Sequence, residues 1–349
     1  MGVERPQGDG ELAAIPTGWF LYRGTGRPQQ DPQLADRLPP PPPWRSFNGG
    51  PTLIPPSEDL AELDRRLGPV KGRPGRTPDA REVMAVNAAL CLRRPLLVTG
   101  PPGVGKSTLA YQVSRELRLG PVLRWPVNSR STLHAALYDY DAVARVQDAR
   151  LSETEPDIGQ YIQLGPLGTA LLPFETPRVL LVDEFDKGDL DLANDLLDVL
   201  EEGSYQIREL FRARTRTPEV DVHTADGQTV RISHGKITCR AFPFVVITSN
   251  GEREFPPAFL RRCLSLRMPE PGPAQLAELV QAHFDRAAEP YKDRIIGEFL
   301  SYRRRDPVAA DQLLNALYLV INGRESWSEQ SWRPVLDVVL RWRDEANEE

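Results

Sequence analysis

Residues 100 to 107 read Gly100-Pro101-Pro102-Gly103-Val104-Gly105-Lys106-Ser107, the Gly-x-x-x-x-Gly-Lys-Ser spacing that wraps the phosphates of a nucleotide. The glycines let backbone N–H groups converge on an anion. Lys106 reaches the β and γ oxygens as a point charge, and Ser107, followed by Thr108, offers a hydroxyl to Mg²⁺. Farther along, Arg178-Val179-Leu180-Leu181-Val182 is an apolar run that ends in adjacent carboxylates, Asp183 and Glu184. Side chains alternate along a strand, so these two acids point differently. Asp183 is therefore a candidate for the Mg²⁺ shell, directly or through water, and Glu184 for accepting a proton from a water that attacks the γ-phosphate. A further apolar run, residues 244–249, stops at Asn250. Its amide could position that water or touch the γ-phosphate, although Asn250-Gly251 alone would be an ordinary turn signal.

The elements that must hold these residues follow from apolar periodicity. Strands are expected at 96–99, 122–127, 179–182 and 244–248, separated by segments with helical spacing. That alternation predicts an α/β fold, a parallel sheet covered by helices on both faces, with ligands at the carboxyl ends of the strands. A helix is expected to start at Thr77, ahead of Pro78 and Asp79, and to run through Val83, Val86, Asn87 and Leu90. After Pro269 the pattern is helical only: 273–284, 290–303, 309–321 and 332–347. The expected organisation is a Pro/Gly-rich arm over 1–75, a nucleotide-binding core over 76–269 and a small helical domain over 270–349. In the arm, Pro39 to Pro43 precede Trp44, and Trp19-Phe20-Leu21-Tyr22 precede Gly24. Aromatics at both ends favour a strap laid on the chain's own surface over a polyproline ligand for another protein's aromatic groove.

Composition narrows the class without naming a partner. The 349 residues carry a formal net charge of −6 and 40% hydrophobic residues, so there is no global field toward nucleic acid or membrane. Cys91, Cys239 and Cys263 are far apart and the four histidines share no ligand spacing with them. Neither a disulfide framework nor a zinc site is indicated. No run of about 18 apolar residues occurs, and the expected location is the cytoplasm. Residues 220–239 read as a hairpin turning at Asp226-Gly227, with 236–239 continuing its sheet. Arg208, Arg212, Arg214 and Arg216 precede it and could meet an acidic partner or nucleic acid, or form a solvated helix face. Asn128, at the end of the second strand, could pair with Glu184.

Over residues 78 to 320 the chain resembles an AAA+ ATPase of the MoxR-like group. Gly100 to Ser107 looks like Walker A, Val179 to Glu184 like Walker B and Asn250 like sensor 1. Tyr161 to Leu167 resembles the insert such proteins carry before Walker B, and Leu196 to Gly203 the helix after it. Pro257-Ala258-Phe259-Leu260-Arg261-Arg262-Cys263 resembles the stretch that supplies the arginine finger, with Arg262 favoured over Arg261 and Cys263 replacing a usual phenylalanine. The resemblance implies a P-loop AAA+ core followed by an all-α lid, ATP and Mg²⁺ as cofactors, and ATP hydrolysis in a ring, usually a hexamer. The implied partner is a client protein to be remodelled, as with factors that serve proteins carrying von Willebrand factor A domains, including in bacterial conflict systems. An ATP-dependent assembly switch and a nucleic-acid motor or loader are the alternatives. ATP over GTP rests on the resemblance alone. The sensor 2 arginine has no clear equivalent: residues 306–314 offer no basic side chain, and Arg303, Arg304 and Arg305 read as a charge run.

Overall fold

The strand runs rich in Val, Leu and Ile take the centre of a sheet because they can be buried on both faces. The computed structural model describes residues 17–29, 34–69, 78–151, 156–284, 288, 292–304, 308–322 and 338–340. Its elements begin with α1 (Leu34–Arg37), α2 (Leu60–Leu67), α3 (Ala80–Leu92), β1 (Leu96–Thr99), α4 (Lys106–Leu117) and β2 (Leu123–Pro126). Next come α5 (Leu133–Leu137), β3 (Tyr138–Tyr140), α6 (Ala142–Leu151), β4 (Ile162–Leu164), α7 (Pro166–Ala170), β5 (Val179–Asp183) and α8 (Leu190–Glu202). They are followed by β6 (Ser204–Gln206), α9 (Arg208–Ala213), β7 (Glu219–His223), β8 (Thr229–Ser233), β9 (Lys236–Thr238) and β10 (Phe244–Ser249). The chain continues through α10 (Pro257–Arg262), β11 (Leu264–Arg267), α11 (Pro273–Phe284), α12 (Lys292–Arg303) and α13 (Ala310–Asn322).

The main sheet runs β11-β1-β10-β5-β2, all parallel. This is a parallel α/β sheet covered by helices on both faces, with the phosphate-loop spacing immediately after β1. Its middle strands β5 and β10 are buried along their whole length, whereas the edge strand β2 alternates buried and exposed positions. Alternate residues divide between two cores. Leu97, Leu180, Val182, Val245 and Ile247 pack with α7 and α8, while Leu96, Val98, Val179, Leu181 and Val246 pack with α3 and α4. Register aligns Val98 with Thr248, Ile247 with Val182 and Asp183 with Pro126, so the carboxyl ends of these strands form one rim. The edge strand β11 was not expected, because Leu-Ser-Leu-Arg is too short and mixed to stand out.

Helix α3 starts at Asp79 rather than Thr77, which lies outside the described residues. The Asp79 carboxylate accepts the Glu82 N–H at 2.7 Å. Helices α11, α12 and α13 form their own apolar cluster. The expected helix over 332–347 lies largely outside the described residues.

The described part of the arm is a strap on the chain's own core. Buried Asn87 accepts the N–H groups of Leu21 and Tyr22 at 2.6 and 3.0 Å and donates to the Tyr22 carbonyl at 2.7 Å. Glu116, near the end of α4, takes the N–H groups of Arg23, Thr25 and Gly26 at 2.6, 2.6 and 3.3 Å. Buried Arg45 donates to the carbonyls of Arg93 and Leu200 at 2.8 and 2.9 Å with its guanidinium over the Phe242 ring. The arm also contains α2, capped by the Asp59 side chain, which its Pro/Gly composition concealed.

Strands β7 and β8 form the expected hairpin, turning at Asp226-Gly227, but β9 leaves it and pairs with β6. The turn does not project. The fully buried Arg178, just before β5, donates to Asp226 at 2.8 Å and to the Pro121 carbonyl at 3.0 Å, and the Ala225 N–H reaches the Thr169 hydroxyl at 2.9 Å. These contacts tether the turn to the core beside β5. Removing one partner of a buried pair strands the other charge. Asp226→Ala should therefore cost about 3–5 kcal/mol of stability, read by denaturant unfolding.

Candidate functional site

The loop between β1 and α4 needs backbone conformations that side chains resist. Gly103 has φ 72° and Gly105 φ 90°, the left-handed region where only glycine is unstrained. A Cβ on Gly103 would lie 2.5 Å from the Ala309 side chain, so the loop touches the segment leading into α13. Buried Lys106 turns back into its loop. Its Nζ donates to the carbonyls of Gly100 and Pro101 at 2.8 and 2.7 Å and to Asn250 Oδ1 at 2.7 Å. Burial pushes the ammonium's pKa down, against the opposing pull of Asp186, Asp183 and Glu184.

Asp183, at the end of β5, is buried and every oxygen is engaged. Oδ1 accepts from Ser107 Oγ at 2.6 Å and Thr248 Oγ1 at 2.8 Å, and Oδ2 from Arg124 Nη2 at 2.8 Å. Burial raises its pKa, but the hydrogen bonds from Ser107, Arg124 and Thr248 outweigh it and hold the carboxyl below its ordinary value. A buried carboxylate beside a serine hydroxyl fits Mg²⁺, which takes a few protein oxygens and fills its shell with water and phosphate. Among the described residues no group of three or more His, Cys, Asp or Glu gathers into a metal cage.

Glu184 has φ 58° and ψ 46°. A left-handed glutamate is strained backbone of the kind that gathers at functional sites. The turn ends β5 abruptly and leaves the side chain exposed, with its carboxylate accepting from Lys187 Nζ at 2.9 Å. The Glu184 N–H donates to Thr248 Oγ1 at 2.9 Å, so one hydroxyl ties the two acidic residues to β10. Asn250 is held by its N–H donating to Asp186 Oδ2 at 2.8 Å, and Asp186 is 2% exposed.

These groups line one cleft of about 500 Å³. It contains residues 102–108 of the loop together with Asp183, Glu184, Thr248 and Asn250. Sequence reasoning missed four contributors. Asp186 was visible as a third acid two places after Glu184. Thr248 and Arg124 are marked only by strand register. Arg66 comes from the arm, where no site was sought: it lines the cleft with its guanidinium 5.3 Å from the Tyr111 ring, paired with Glu62 at 2.9 Å.

Other expected residues lie elsewhere. Asn128 does not meet Glu184, because its Oδ1 accepts the Arg130 N–H at 2.8 Å in a local turn. Arg262, on α10, is not in the cleft: its Nε donates to Glu201 Oε1 at 2.8 Å, and neighbouring Arg261 donates to the Pro257 carbonyl at 3.2 Å. Helices α11 and α13 bring His283 and Asp311 to the cleft and, among the described residues, no Lys or Arg. Arg303 instead reaches the Pro271 carbonyl at 2.7 Å, and Arg305 lies outside the described residues. Arg214 stacks on Phe211 at 3.6 Å. Cys239 and Cys263 are buried free thiols, both pushed up to about 12 by desolvation.

Residues 95–263 match the family model of the AAA domain, dynein-related subfamily. No curated protein matches the chain. Among solved structures, NtrX from Brucella abortus in complex with ATP is 14% identical with a TM-score of 0.43, covering 78% of this chain and 56% of its own. Another NtrX structure from Brucella abortus is 16% identical with a TM-score of 0.39, over the same shares of both chains. This chain thus spans little more than half the length of those proteins. No helix among the described residues is long and apolar enough to cross a membrane.

Proposed function

We propose that this chain, with an AAA domain match at its core, binds ATP with Mg²⁺ and hydrolyses it in a ring of copies, driving the remodelling of a partner protein. The observation that carries the reading is the convergence of Lys106, Ser107, Asp183, Glu184, Thr248 and Asn250 on one cleft at the carboxyl rim of the sheet. Phosphates entering the loop offer Lys106 anionic partners in place of the two neutral carbonyls it now holds, and an ammonium is attracted more strongly to a charge than to a carbonyl dipole. Asn250 already touches Lys106 and is fixed by Asp186, so it would meet the same end of the phosphate chain. Ser107 and Asp183 would hold Mg²⁺, which when bound neutralises charge building on the β and γ oxygens. Glu184 would accept the proton of the attacking water once free of Lys187.

Arg262 lies outside its own cleft. As a finger it would act on a neighbouring copy, which is the support for a ring, hexameric by the MoxR-like resemblance. The same resemblance is the basis for a client with a von Willebrand factor A domain.

The first test is equilibrium binding of ATP and steady-state hydrolysis by the purified chain. Lys106→Ala should weaken ATP binding at least tenfold, since a charged hydrogen bond is worth about 1.5–3 kcal/mol. A wild-type chain that neither binds nor hydrolyses ATP overturns the reading.

A further inference from the structure

We infer that Arg124 is the site's own stand-in for the divalent cation, holding Asp183 neutralised until metal arrives with nucleotide. The inference rests on the nucleotide reading above. β2 is the edge strand of the main sheet and Arg124 is an outward position on it. Its guanidinium nevertheless folds back to the rim and grips a single oxygen of Asp183, with Nη2 at 2.8 Å and Nε at 3.2 Å from Oδ2. The other oxygen is taken by Ser107 and Thr248. Oδ2 is therefore the oxygen whose donors both come from one side chain, so that displacing Arg124 alone would free it for a cation.

The partners differ in freedom. The Asp183 side chain is 8% exposed and pinned by two hydroxyls, whereas that of Arg124 is 43% exposed and its long stem can swing into solvent. A divalent cation held by Asp183 would repel a guanidinium this close, and Arg124 is the partner free to leave. Two consequences follow from charge alone. Without metal, the pair presents no net negative charge to the phosphates, and the cleft stays open to a nucleotide. With metal, the pair must be broken, which subtracts from the gain that Mg²⁺ brings. Arg124 thereby flattens the metal dependence of nucleotide binding.

ADP affinity, measured by calorimetry on the full chain in excess Mg²⁺ and again in EDTA, reads this directly. Arg124→Ala should weaken ADP binding in EDTA by several-fold to about tenfold, because a bare Asp183 then faces the phosphates. Binding in Mg²⁺ should hold or tighten, so the ratio of the two affinities rises by about the same factor. Arg124→Lys, which keeps the charge, should recover most of the metal-free affinity. A merely structural arginine would weaken ADP equally in both conditions, and that result, an unchanged ratio, or a lysine variant as poor as alanine overturns the inference. Arg124→Gln repeats the measurement if the alanine chain does not fold. Wild-type protein that binds ADP in neither condition would instead remove the nucleotide reading beneath it.

Discussion

Arg262→Ala will lower ATP turnover by roughly 10³- to 10⁵-fold while leaving ATP affinity close to wild type, the size expected when an arginine that neutralises transition-state charge is removed. Arg262 lies on the surface, away from its own cleft. It sits in the last turn of the short helix α10, absent from its own cleft, and its pairing with Glu201 is half-exposed on both sides. Exposed pairs of this kind contribute about 1 kcal/mol or less and release easily. Mixing supplies the decisive measurement. Lys106→Ala chains keep the finger and lose the phosphate lysine, and Arg262→Ala chains keep the cleft and lose the finger. Each should be nearly inactive alone, and the mixture should regain turnover as rings form that join an intact cleft to an intact finger. Arg261→Ala serves as the comparison, because Arg261 is the neighbouring arginine of the same helix turn. Full activity in both single variants sinks the shared site, and loss in Arg261→Ala alone moves the role by one residue.

Glu184→Gln should bind ATP as well as wild type yet hydrolyse it roughly 10²- to 10⁴-fold more slowly, the range associated with a positioned general base. Glutamine suits the test because it matches glutamate in shape and in its aversion to a left-handed backbone. The strained turn after β5 is thus unchanged, and only the ability to take a proton is lost. Single-turnover hydrolysis checks the step, and a rate within tenfold of wild type would take Glu184 out of the chemistry. The variant also separates a motor from a switch. A protein that acts by assembling on ATP keeps its partner-directed function when hydrolysis stops, whereas a remodelling machine loses it.

What could be read in the sequence was local. The phosphate loop, the acidic end of β5 and the asparagine after β10 are contiguous strings whose chemistry depends on neighbours in sequence. The two central strands were legible because burial on both faces demands unbroken apolar residues. What escaped depends on contacts between distant segments. Arg124 and Asp183 face each other because β2 pairs with β5 in one register, Pro126 opposite Asp183. Arg66 reaches the cleft because α2 docks on α4. Asn128 lies two residues past β2, the strand next to Glu184's, yet the left-handed turn at Glu184 and the turn at Arg130 send the two side chains to different partners. Composition misled most in the arm, where proline and glycine hid both α2 and a strap held by backbone hydrogen bonds to Asn87 and Glu116.

The buried pair of Arg178 and Asp226 makes the β7–β8 hairpin a beam fixed at its tip as well as at its root. A free hairpin bends under a lateral force and dissipates it. This one delivers the load to Arg178, immediately before β5, a strand only about 16 Å long at 3.3 Å per residue. Held on both sides by β10 and β2, that strand is stiff in tension and leads directly to Asp183 and Glu184. A load on the outer face of the hairpin would therefore meet the sheet at Arg178, five residues before Asp183.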